Sequence, residues 1–133
     1  MAAWTADELA KIGKATELRI ASRRSDGSLR PYVTIWVVRS GDDLYVRSAY
    51  GHQNGWFKRA LSSREGRITA GGVERDVAFE EPGAAVDAAV DAAYHAKYDR
   101  YGPSIVGTVV SPEAARSTLR LVHRWSRNAT ESG

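Results

Sequence analysis

The sequence predicts a mainly β, α+β fold: an antiparallel barrel of about six or seven strands with helices at its periphery. Three observations support this prediction. Short runs rich in β-branched and aromatic residues follow one another, and glycine-containing turns and short helical segments separate them. No regular strand–helix–strand alternation is present, which argues against a doubly wound parallel sheet. The length of 133 residues suffices for one domain with its own core.

The first part of the chain predicts one helix and three strands. Thr5 is placed to cap a helix that runs to about Gly13, and Glu8 completes a capping box three residues later. Three strands separated by glycine-containing turns follow, over residues 17–24, 30–39 and 43–48. Because they are consecutive and their connections are short, they are predicted to form an antiparallel meander.

The rest of the chain mixes short helices with further strands. Helices are predicted over residues 54–63 and, in an alanine-rich segment ended by Gly102-Pro103, over residues 84–99. Strands are predicted over residues 67–71, 75–80, 104–110 and 117–125, with a turn or bulge near Gly71-Gly72 and a single helical turn at residues 111–113. One domain is thus expected over residues 4–125, followed by a flexible tail at residues 126–133.

The composition excludes several classes of function. Cysteines are absent, which excludes disulfides, thiol catalysis and cysteine-rich zinc sites and suits a cytoplasmic protein. No apolar run approaches the roughly 18 residues of a membrane span, and the N-terminal segment lacks the apolar core of a signal peptide. The net charge of +3 favours an anionic ligand, but the basic residues are spread along the chain, which argues against nucleic acid as the partner.

Side chains alternate along a strand, so the two faces of residues 30–39 can be separated. Val33, Ile35 and Val37 share one face, which is expected to point into the barrel. The opposite face, continued on the next strand, is aromatic and amphipathic; it carries Tyr32, Thr34, Trp36, Tyr45 and Arg47. Two interpretations remain open: this face is a surface for a partner or ligand, or helices of the same chain cover it.

Residues 44–60, LYVRSAYGHQNGWFKRA, combine a strand end, a glycine-containing loop and the start of a basic helix. The segment holds polar and cationic side chains suited to a phosphate, namely Arg47, Ser48, Tyr50, Lys58 and Arg59. A helix N-terminus near Asn54-Gly55 would add backbone N–H donors. Neither a P-loop nor a dinucleotide-binding fingerprint is present, and solvated surface charges are the alternative interpretation.

The alanine-rich helix offers the candidates for catalysis. His95 and Asp99 are four residues apart, so the pair is either an oriented general base or a surface ion pair. Tyr98 is a further candidate for substrate contact, although its helical spacing with Tyr94 and Tyr101 also fits packing onto the barrel. The three histidines are far apart and cysteines are absent, so no metal site is expected.

Three other charged residues require an explanation. Arg75 lies on an otherwise apolar strand face and needs a partner, for which Glu17, Asp43 or a ligand phosphate are candidates. Asp87 and Asp91 are like charges at helical spacing, and they are expected to form a solvated face.

Several segments of the chain resemble a known family: PYVTIWVVRSGDDLYVRSAYGHQNGWFKRA, GRITAGGVERDVAFE and AAYHAKYDRYG. They resemble the flavin-binding split β-barrels of the pyridoxamine-phosphate-oxidase-like superfamily, which includes the flavin and deazaflavin oxidoreductases of actinobacteria. Within that group, the chain is most similar to an uncharacterised branch, a domain of unknown function. The resemblance covers roughly residues 4–125 and implies an antiparallel split β-barrel and an FMN- or deazaflavin-dependent oxidoreductase acting on a small molecule.

The resemblance also implies a homodimer with two cofactor sites at its interface. The cofactor ring would lie along the strand of Tyr32, Val33, Thr34 and Ile35. The phosphate would be held by Arg47, Ser48 and Lys58, with Arg59, Tyr50 and Trp56 as neighbouring candidates. Trp36, Trp56 and Phe57 are bulkier than the family pattern and would narrow the space for a flavin. The alternatives are therefore a cofactor-independent enzyme or binding protein that takes an anionic ligand in the same interface pocket, and a structural domain that only dimerises through its aromatic face.

Overall fold

The fold is known from a computed structural model, which describes residues 4–49 and 55–123. This part of the chain contains seven strands: β1 (Leu18–Ser22), β2 (Val33–Ile35), β3 (Val38–Ser40), β4 (Asp43–Val46), β5 (Glu65–Ala70), β6 (Val73–Glu80) and β7 (Leu119–His123). It also contains five α-helices: α1 (Ala6–Lys14), α2 (Gly55–Ser63), α3 (Asp87–Tyr98), α4 (Pro103–Val110) and α5 (Pro112–Ala115). In these residues no helix combines the length and apolar character needed to cross a membrane. The predicted tail, residues 126–133, lies outside the described residues.

The seven strands form one antiparallel sheet in the order β2-β1-β5-β6-β7-β4-β3. The two edge strands, β2 and β3, are consecutive in the chain, and only residues 36–37 separate them. Because one short segment supplies both edges, the sheet has to curl until its edges approach each other. The predicted antiparallel barrel with peripheral helices is thus confirmed.

The strand predicted over residues 30–39 is wrong in one respect, because it is broken at Trp36 and Val37. The main chain of Val37 bonds to α3 instead of to a neighbouring strand: its N–H donates to the Tyr98 hydroxyl (3.3 Å), and its carbonyl oxygen accepts from Lys97 Nζ (2.7 Å). Where the chain passes from one sheet edge to the other, helix α3 therefore supplies the main-chain hydrogen bonds that a neighbouring strand would otherwise make.

The interior of the barrel is apolar, and the predicted inward face belongs to it. Val37 is fully buried, and Val33 and Ile35 pack against the same cluster. Further members come from the other strands and from α2: Leu18, Ile20, Leu44, Val46, Phe57, Ile68, Val77, Leu119 and Leu121. Each such side chain contributes about 1.5–3 kcal/mol by leaving water, so this cluster holds the curled sheet together.

A second cluster lies outside the barrel, where α3 and α4 cover β3 and β4. It consists of Val38, Tyr45, Val90, Tyr94, Tyr98, Val106 and Val109, with Trp36 at its margin. Coverage by the chain's own helices is therefore the correct interpretation for Tyr45 and Arg47, whereas Trp36 is only partly buried. Tyr32, in contrast, is 39% exposed, and Thr34 is exposed beside it.

The predicted N-terminal cap of α1 is confirmed. Thr5 Oγ1 accepts from the Glu8 N–H (3.1 Å), and Glu8 Oε1 accepts from the Thr5 N–H (3.0 Å). The second carboxylate oxygen of Glu8 accepts from Arg75 Nε at 2.7 Å. The partner of Arg75 is thus the buried Glu8 of α1, rather than Glu17, Asp43 or a ligand phosphate.

The strand predicted over residues 104–110 is wrong: these residues belong to helix α4. Pro103 occupies its first turn, where a missing N–H costs no hydrogen bond. Val106 and Val109, three residues apart, are buried against α3. Packing of this face therefore overrides the β preference of the β-branched residues.

Candidate functional site

A pocket of about 350 Å³ opens beside β2. It is lined by Val33, Thr34, Ile35 and Trp36, by Arg47 and Ala49 after β4, by Trp56 of α2, and by Ile105, Thr108 and Val109 of α4. Its size falls in the range of small-molecule sites, about 300–1,000 Å³. Three of the residues predicted to line a cofactor ring, Val33, Thr34 and Ile35, thus meet in one pocket that is mostly apolar.

One side of this pocket is the edge of the sheet. Strand β2 pairs with β1, with Ile35 opposite Leu18 and Val33 opposite Ile20. In the part of the chain that the structure describes, no strand lies on its other side. An unpaired strand edge presents backbone N–H and C=O groups, so the pocket combines apolar walls with a row of donors and acceptors. A flat heteroaromatic ring with polar atoms along one edge requires both the apolar walls and the backbone donors and acceptors.

Trp36 is held in place by a stack of aromatic rings. Its ring lies parallel to that of Tyr98 (centroids 3.9 Å apart, planes at 2°), and Tyr101 packs at 5.9 Å. The Tyr98 hydroxyl donates to the Thr16 carbonyl (2.7 Å) and accepts from the Val37 N–H. Burial raises the pKa of Tyr98 to about 12, so the hydroxyl keeps its proton, and the stack forms a fixed wall of the pocket.

Arg47, a predicted phosphate contact, is buried and bound by its own chain. Its Nε donates to Thr118 Oγ1 (2.8 Å), and Nη1 donates to the Val109 carbonyl (2.8 Å) and to the Asp91 carboxylate. Nη2 donates to the carbonyl oxygen of Asp87 and lies 3.9 Å from its carboxylate. Asp87 and Asp91 are thus not merely a solvated face: they neutralise Arg47 and tie β4 to α3.

Two further predicted phosphate contacts, Ser48 and Tyr50, follow Arg47 along the chain. Ser48 is buried, and its N–H donates to the Ser117 hydroxyl (2.9 Å), which itself donates to the Ala114 carbonyl (2.6 Å). The Ser48 hydroxyl has no hydrogen-bond partner among the described residues. Tyr50 lies outside the described residues.

A second cavity, of about 610 Å³, is basic. Its cationic lining residues are Arg23, Arg24, Arg30, Lys58 and Arg59; Ser25, Gly27, Ser62, Ser63 and Glu65 complete it. Lys58 and Arg59, both predicted phosphate contacts, are exposed on α2. The Arg59 guanidinium folds back over Gly55, with Nη1 2.9 Å from the position of a Cβ there. A larger residue at position 55 would therefore displace it.

A narrow cleft lies between the apolar pocket and the basic cavity. Its lining includes Val33 and Trp56, which also line the pocket, and Arg59, which also lines the cavity. Phe57, predicted to narrow the cofactor space, instead points into the barrel core and is fully buried. Trp56 stands edge-on to it (centroids 6.0 Å apart) and lines both the apolar pocket and the cleft.

The candidates for catalysis lie elsewhere. His95 Nδ1 and Asp99 Oδ1 are 2.8 Å apart, but both side chains are more than half exposed. Neither lines the apolar pocket or the basic cavity. The geometry of the pair is that of a surface ion pair, and Tyr98 serves the aromatic stack. Among residues 4–49 and 55–123, no group of acidic residues and histidines is arranged to hold a metal ion.

Two parts of the site escape prediction from the sequence. The sequence predicts a strand for the wall formed by Ile105, Thr108 and Val109, although Pro103 and the three-residue spacing of the buried valines are typical of a helix. Three arginines of the hairpin that joins β1 to β2 lie far from α2 in sequence: Arg23, Arg24 and Arg30. Only the pairing of β1 with β2 and β5 brings them beside it.

Comparison with known proteins gives a family and a fold. The model of the family DUF2255, described as uncharacterised proteins conserved in bacteria, matches residues 8–121. No curated protein matches the sequence. A solved F420 reductase is 13% identical, with 86% of this chain and 90% of that chain covered and a TM-score of 0.56. A FAD-binding protein from Mesorhizobium loti is 18% identical, with 90% of each chain covered and a TM-score of 0.51. At these identities the likeness shows a shared fold.

Proposed function

The chain belongs to the DUF2255 family of uncharacterised bacterial proteins, and from that premise we propose that it is an oxidoreductase that uses FMN or a deazaflavin on a small-molecule substrate. We further propose that its barrel is a split barrel of the pyridoxamine-phosphate-oxidase-like superfamily. The shared fold with an F420 reductase and a FAD-binding protein supports this cofactor class.

One observation carries the proposal: an apolar pocket beside the β2 edge, which pairs with no second strand among the described residues, adjoins a cavity rich in cations. Flavin-type cofactors have the matching shape, with a planar heteroaromatic ring joined to a phosphate-bearing chain. The ring would lie against Val33, Thr34 and Ile35 between the two tryptophan walls. The phosphate would lie at Lys58 and Arg59, where charge-assisted hydrogen bonds are available.

The residues of this chain would bind and orient rather than act as acid or base. The β2 edge would offer backbone hydrogen bonds to the polar rim of the ring, and Trp36 and Trp56, which line the pocket, would shield the ring from water. When bound, the cofactor supplies the hydride chemistry itself. A catalytic dyad is therefore not required, which fits the exposed position of His95 and Asp99.

We also propose a homodimer in the cytoplasm, with the site at the interface. The large apolar side chains left most exposed in the described residues are Tyr32 (39%), Tyr101 (41%) and Ile105 (50%). Ile105 lines the pocket, and Tyr101 packs on its Trp36 wall. A second copy covering them would close the open side of the pocket. Light scattering tests this, and a particle near the monomer mass of 14.5 kDa would contradict it.

A second candidate function is a cofactor-independent enzyme or binding protein for a small anionic ligand. The observation that favours it is the basic cavity, whose lining cations need no ring beside them to attract an anion. Under this proposal the anion binds and ring compounds do not.

Titration with riboflavin, FMN and a deazaflavin tests the ring site. We expect binding to wild-type protein, seen as quenching of ring fluorescence, and loss of binding in Thr108→Trp, which fills the pocket from α4. Ser104→Trp is the matched control, because Ser104 is exposed on the same helix and does not line the pocket. The cofactor proposal is wrong if wild-type protein binds none of the three, or if Thr108→Trp binds as well as Ser104→Trp does.

A double variant, Lys58→Ala/Arg59→Ala, tests the phosphate site. Each lost charge-assisted contact should cost about 1.5–3 kcal/mol of FMN affinity. Riboflavin, which lacks the phosphate, should bind the variant and the wild type alike. Equal losses for FMN and riboflavin would show that these cations do not contact the phosphate.

A further inference from the structure

Lys97 lies in the last turn of α3, outside both the apolar pocket and the basic cavity. Its side chain is partly buried. Its Nζ donates to the Val37 carbonyl at 2.7 Å and lies 5.1 Å from the centre of the Tyr98 ring. Because Val37 is fully buried at the point where the chain passes between the two sheet edges, the amine is held in a fixed position on the barrel.

The charge of Lys97 has no carboxylate to balance it. In the described part of the chain, Lys97 forms no ion pair. Asp99, the nearest carboxylate along the helix, is engaged by His95 at 2.8 Å, and Glu17, in the segment between α1 and β1, is not within ion-pair distance. The charge that acts on Lys97 is instead a second cation, Arg100, three residues further along.

A partly desolvated lysine beside another cation favours its neutral amine, which carries the lone pair that attacks an electrophile. Burial lowers the pKa of Lys97 to about 8, and the charge of Arg100 adds to this effect. At pH 7.5 a lysine with this pKa is about one quarter neutral, whereas one with the ordinary pKa of about 10.4 is almost entirely protonated. The environment of Lys97 thus provides a nucleophile near neutral pH.

The hydrogen bond to Val37 determines which product the site accommodates. Acylation leaves one N–H on the nitrogen, which can still donate to the buried carbonyl, whereas a neutral imine has none. The Tyr98 hydroxyl is a poor substitute, because its single proton makes the shorter hydrogen bond to the Thr16 carbonyl (2.7 Å, against 3.1 Å to the Val37 carbonyl). An amide also removes the charge that Arg100 repels. The contacts therefore favour an acylated amine.

We propose that Lys97 is a site of covalent acylation, and that it reacts with activated donors of small acyl groups, namely acyl phosphates or thioesters. The amine nitrogen attacks the acyl carbonyl carbon and forms a C–N bond, while the C–O or C–S bond to the leaving group breaks. Phosphate or thiolate departs with the bonding electron pair, and the nitrogen releases one proton to water. The inference goes beyond the proposed function, since it requires no cofactor.

Competition labelling of the folded full chain at pH 7.5 tests the site. The chain has four lysines, of which Lys11, Lys14 and Lys58 are exposed and Lys97 is partly buried. Acetyl phosphate and S-acetyl-N-acetylcysteamine, a thioester, are used in separate reactions, and mass spectrometry quantifies acetylation at each lysine.

We expect Lys97 to react about tenfold faster than the exposed lysines, although it is less accessible. A gain of about two orders of magnitude in neutral amine over an ordinary lysine is partly offset by the lower nucleophilicity that accompanies a lower pKa. The donor that labels Lys97 selectively separates acyl phosphates from thioesters as the source. Labelling of Lys97 no faster than that of the exposed lysines with both donors would overturn the proposal.

The pH dependence provides a readout that accessibility alone would not change. The labelling rate of Lys97 should level off above about pH 8, whereas Nα-acetyl-lysine amide, a solvated reference amine in the same tube, should gain reactivity up to about pH 10.4. In urea the preference for Lys97 should disappear, because the fold produces it. A parallel rise of both rates with pH, or a preference that survives unfolding, would refute the argument.

A pair of variants tests the contribution of the neighbouring charge. Arg100→Gln replaces an exposed side chain and should slow the labelling of Lys97 about twofold or more, since it removes the repelling cation. Arg19→Gln, at an exposed position on β1, is the matched control and should label like wild type. Equal labelling of Lys97 in the two variants would contradict the argument from unbalanced charge on which the proposal rests.

Discussion

Replacing Arg47 by methionine should weaken the fold more than it weakens ligand binding. Methionine is unbranched and apolar, so it can fill much of the same buried space. The substitution removes hydrogen bonds to Thr118, Val109, Asp91 and Asp87. Because the resemblance implies a phosphate contact at this position and the structure shows an internal one, the variant distinguishes two roles of the same residue.

The magnitude follows from how well each former partner can rehydrate. The side chains of Asp87 and Asp91 are 34% and 38% exposed, so water can replace the guanidinium there. The Val109 carbonyl belongs to a residue that is only 4% exposed and would lose its guanidinium donor, whereas the Thr118 hydroxyl, equally buried, keeps its hydrogen bond to the Ala115 carbonyl. Each orphaned buried group costs about 1–3 kcal/mol. We expect a loss of about 3 kcal/mol in the free energy of unfolding, at the lower end of the range for breaking a buried ion pair.

Urea unfolding followed by tryptophan fluorescence measures this loss, which corresponds to a fall of about 10 °C in Tm. Arg39→Met is the matched control. Arg39 is exposed on β3 and its ion pair with Asp42 spans 3.7 Å at the surface, so its loss should cost at most about 1 kcal/mol. If Arg47→Met keeps the stability of the control but loses FMN affinity, Arg47 is a ligand contact and the structural role argued for it is refuted.

Three further predictions concern stability and titration. Gly66→Ala should cost about 2–3 kcal/mol in the same unfolding assay, because the new Cβ would lie 2.1 Å from the Ala21 carbonyl oxygen; a neutral result would show that β1 can shift freely. Burial would raise the pKa of Asp76, but the hydrogen bonds and charges of Arg67 and Arg23 outweigh it and lower the pKa. The stabilisation by Asp76 should therefore be full above the ordinary carboxyl pKa of about 4 and disappear as the pH falls through the lowered value. The difference in unfolding free energy between wild type and Asp76→Asn should accordingly shrink below pH 4. A difference that stays constant with pH would contradict this. Burial lowers the pKa of Lys97 to about 8, with the charge of Arg100 adding to it; an NMR titration of the lysine side chains should show one titrating near pH 8 that is absent from Lys97→Met, and ordinary titration of every lysine would contradict it.

Local features of the fold could be predicted because their signals lie within a few residues. The capping box of α1 depends only on Thr5 and Glu8, and both of its hydrogen bonds are present. The turn at Gly71-Gly72 depends on residues that tolerate a positive φ, and both glycines have one (57° and 84°). Such interactions are local, so the sequence pattern suffices to predict them.

Features that depend on distant partners could not be predicted. The break at Val37 requires Tyr98 and Lys97, about sixty residues further along the chain. Helix α4 exists because Val106 and Val109 find an apolar face on α3, although their intrinsic preference favours a strand. In both cases tertiary packing decides between local conformations of similar free energy.

The residues of the candidate site also fall into those that local patterns predict and those whose role depends on distant partners. Strand periodicity separated Val33 and Ile35 from the aromatic face correctly, and Lys58 and Arg59 lie exposed on α2 as a contact with an anion requires. The role of Arg47 could not be predicted, because a buried arginine and a ligand-binding arginine look alike in sequence. Their difference lies in Asp87 and Asp91, which reach Arg47 only after α3 has packed on β4.

Which arginines and lysines have carboxylate partners then determines what kind of ligand each part of the site can bind. Arg47 lines the apolar pocket but is engaged by Asp87 and Asp91, so its charge is not available to a ligand, and the pocket selects by shape and by the β2 edge. Arg30, Lys58 and Arg59 form no ion pair with any described residue, so the adjoining cavity selects by charge. Salt screens exposed charges over a Debye length of about 10 Å at 0.1 M. Added salt should therefore strongly weaken the binding of an anionic group in this cavity while leaving the contribution of a neutral ring nearly unchanged, and this difference separates the two halves of one site.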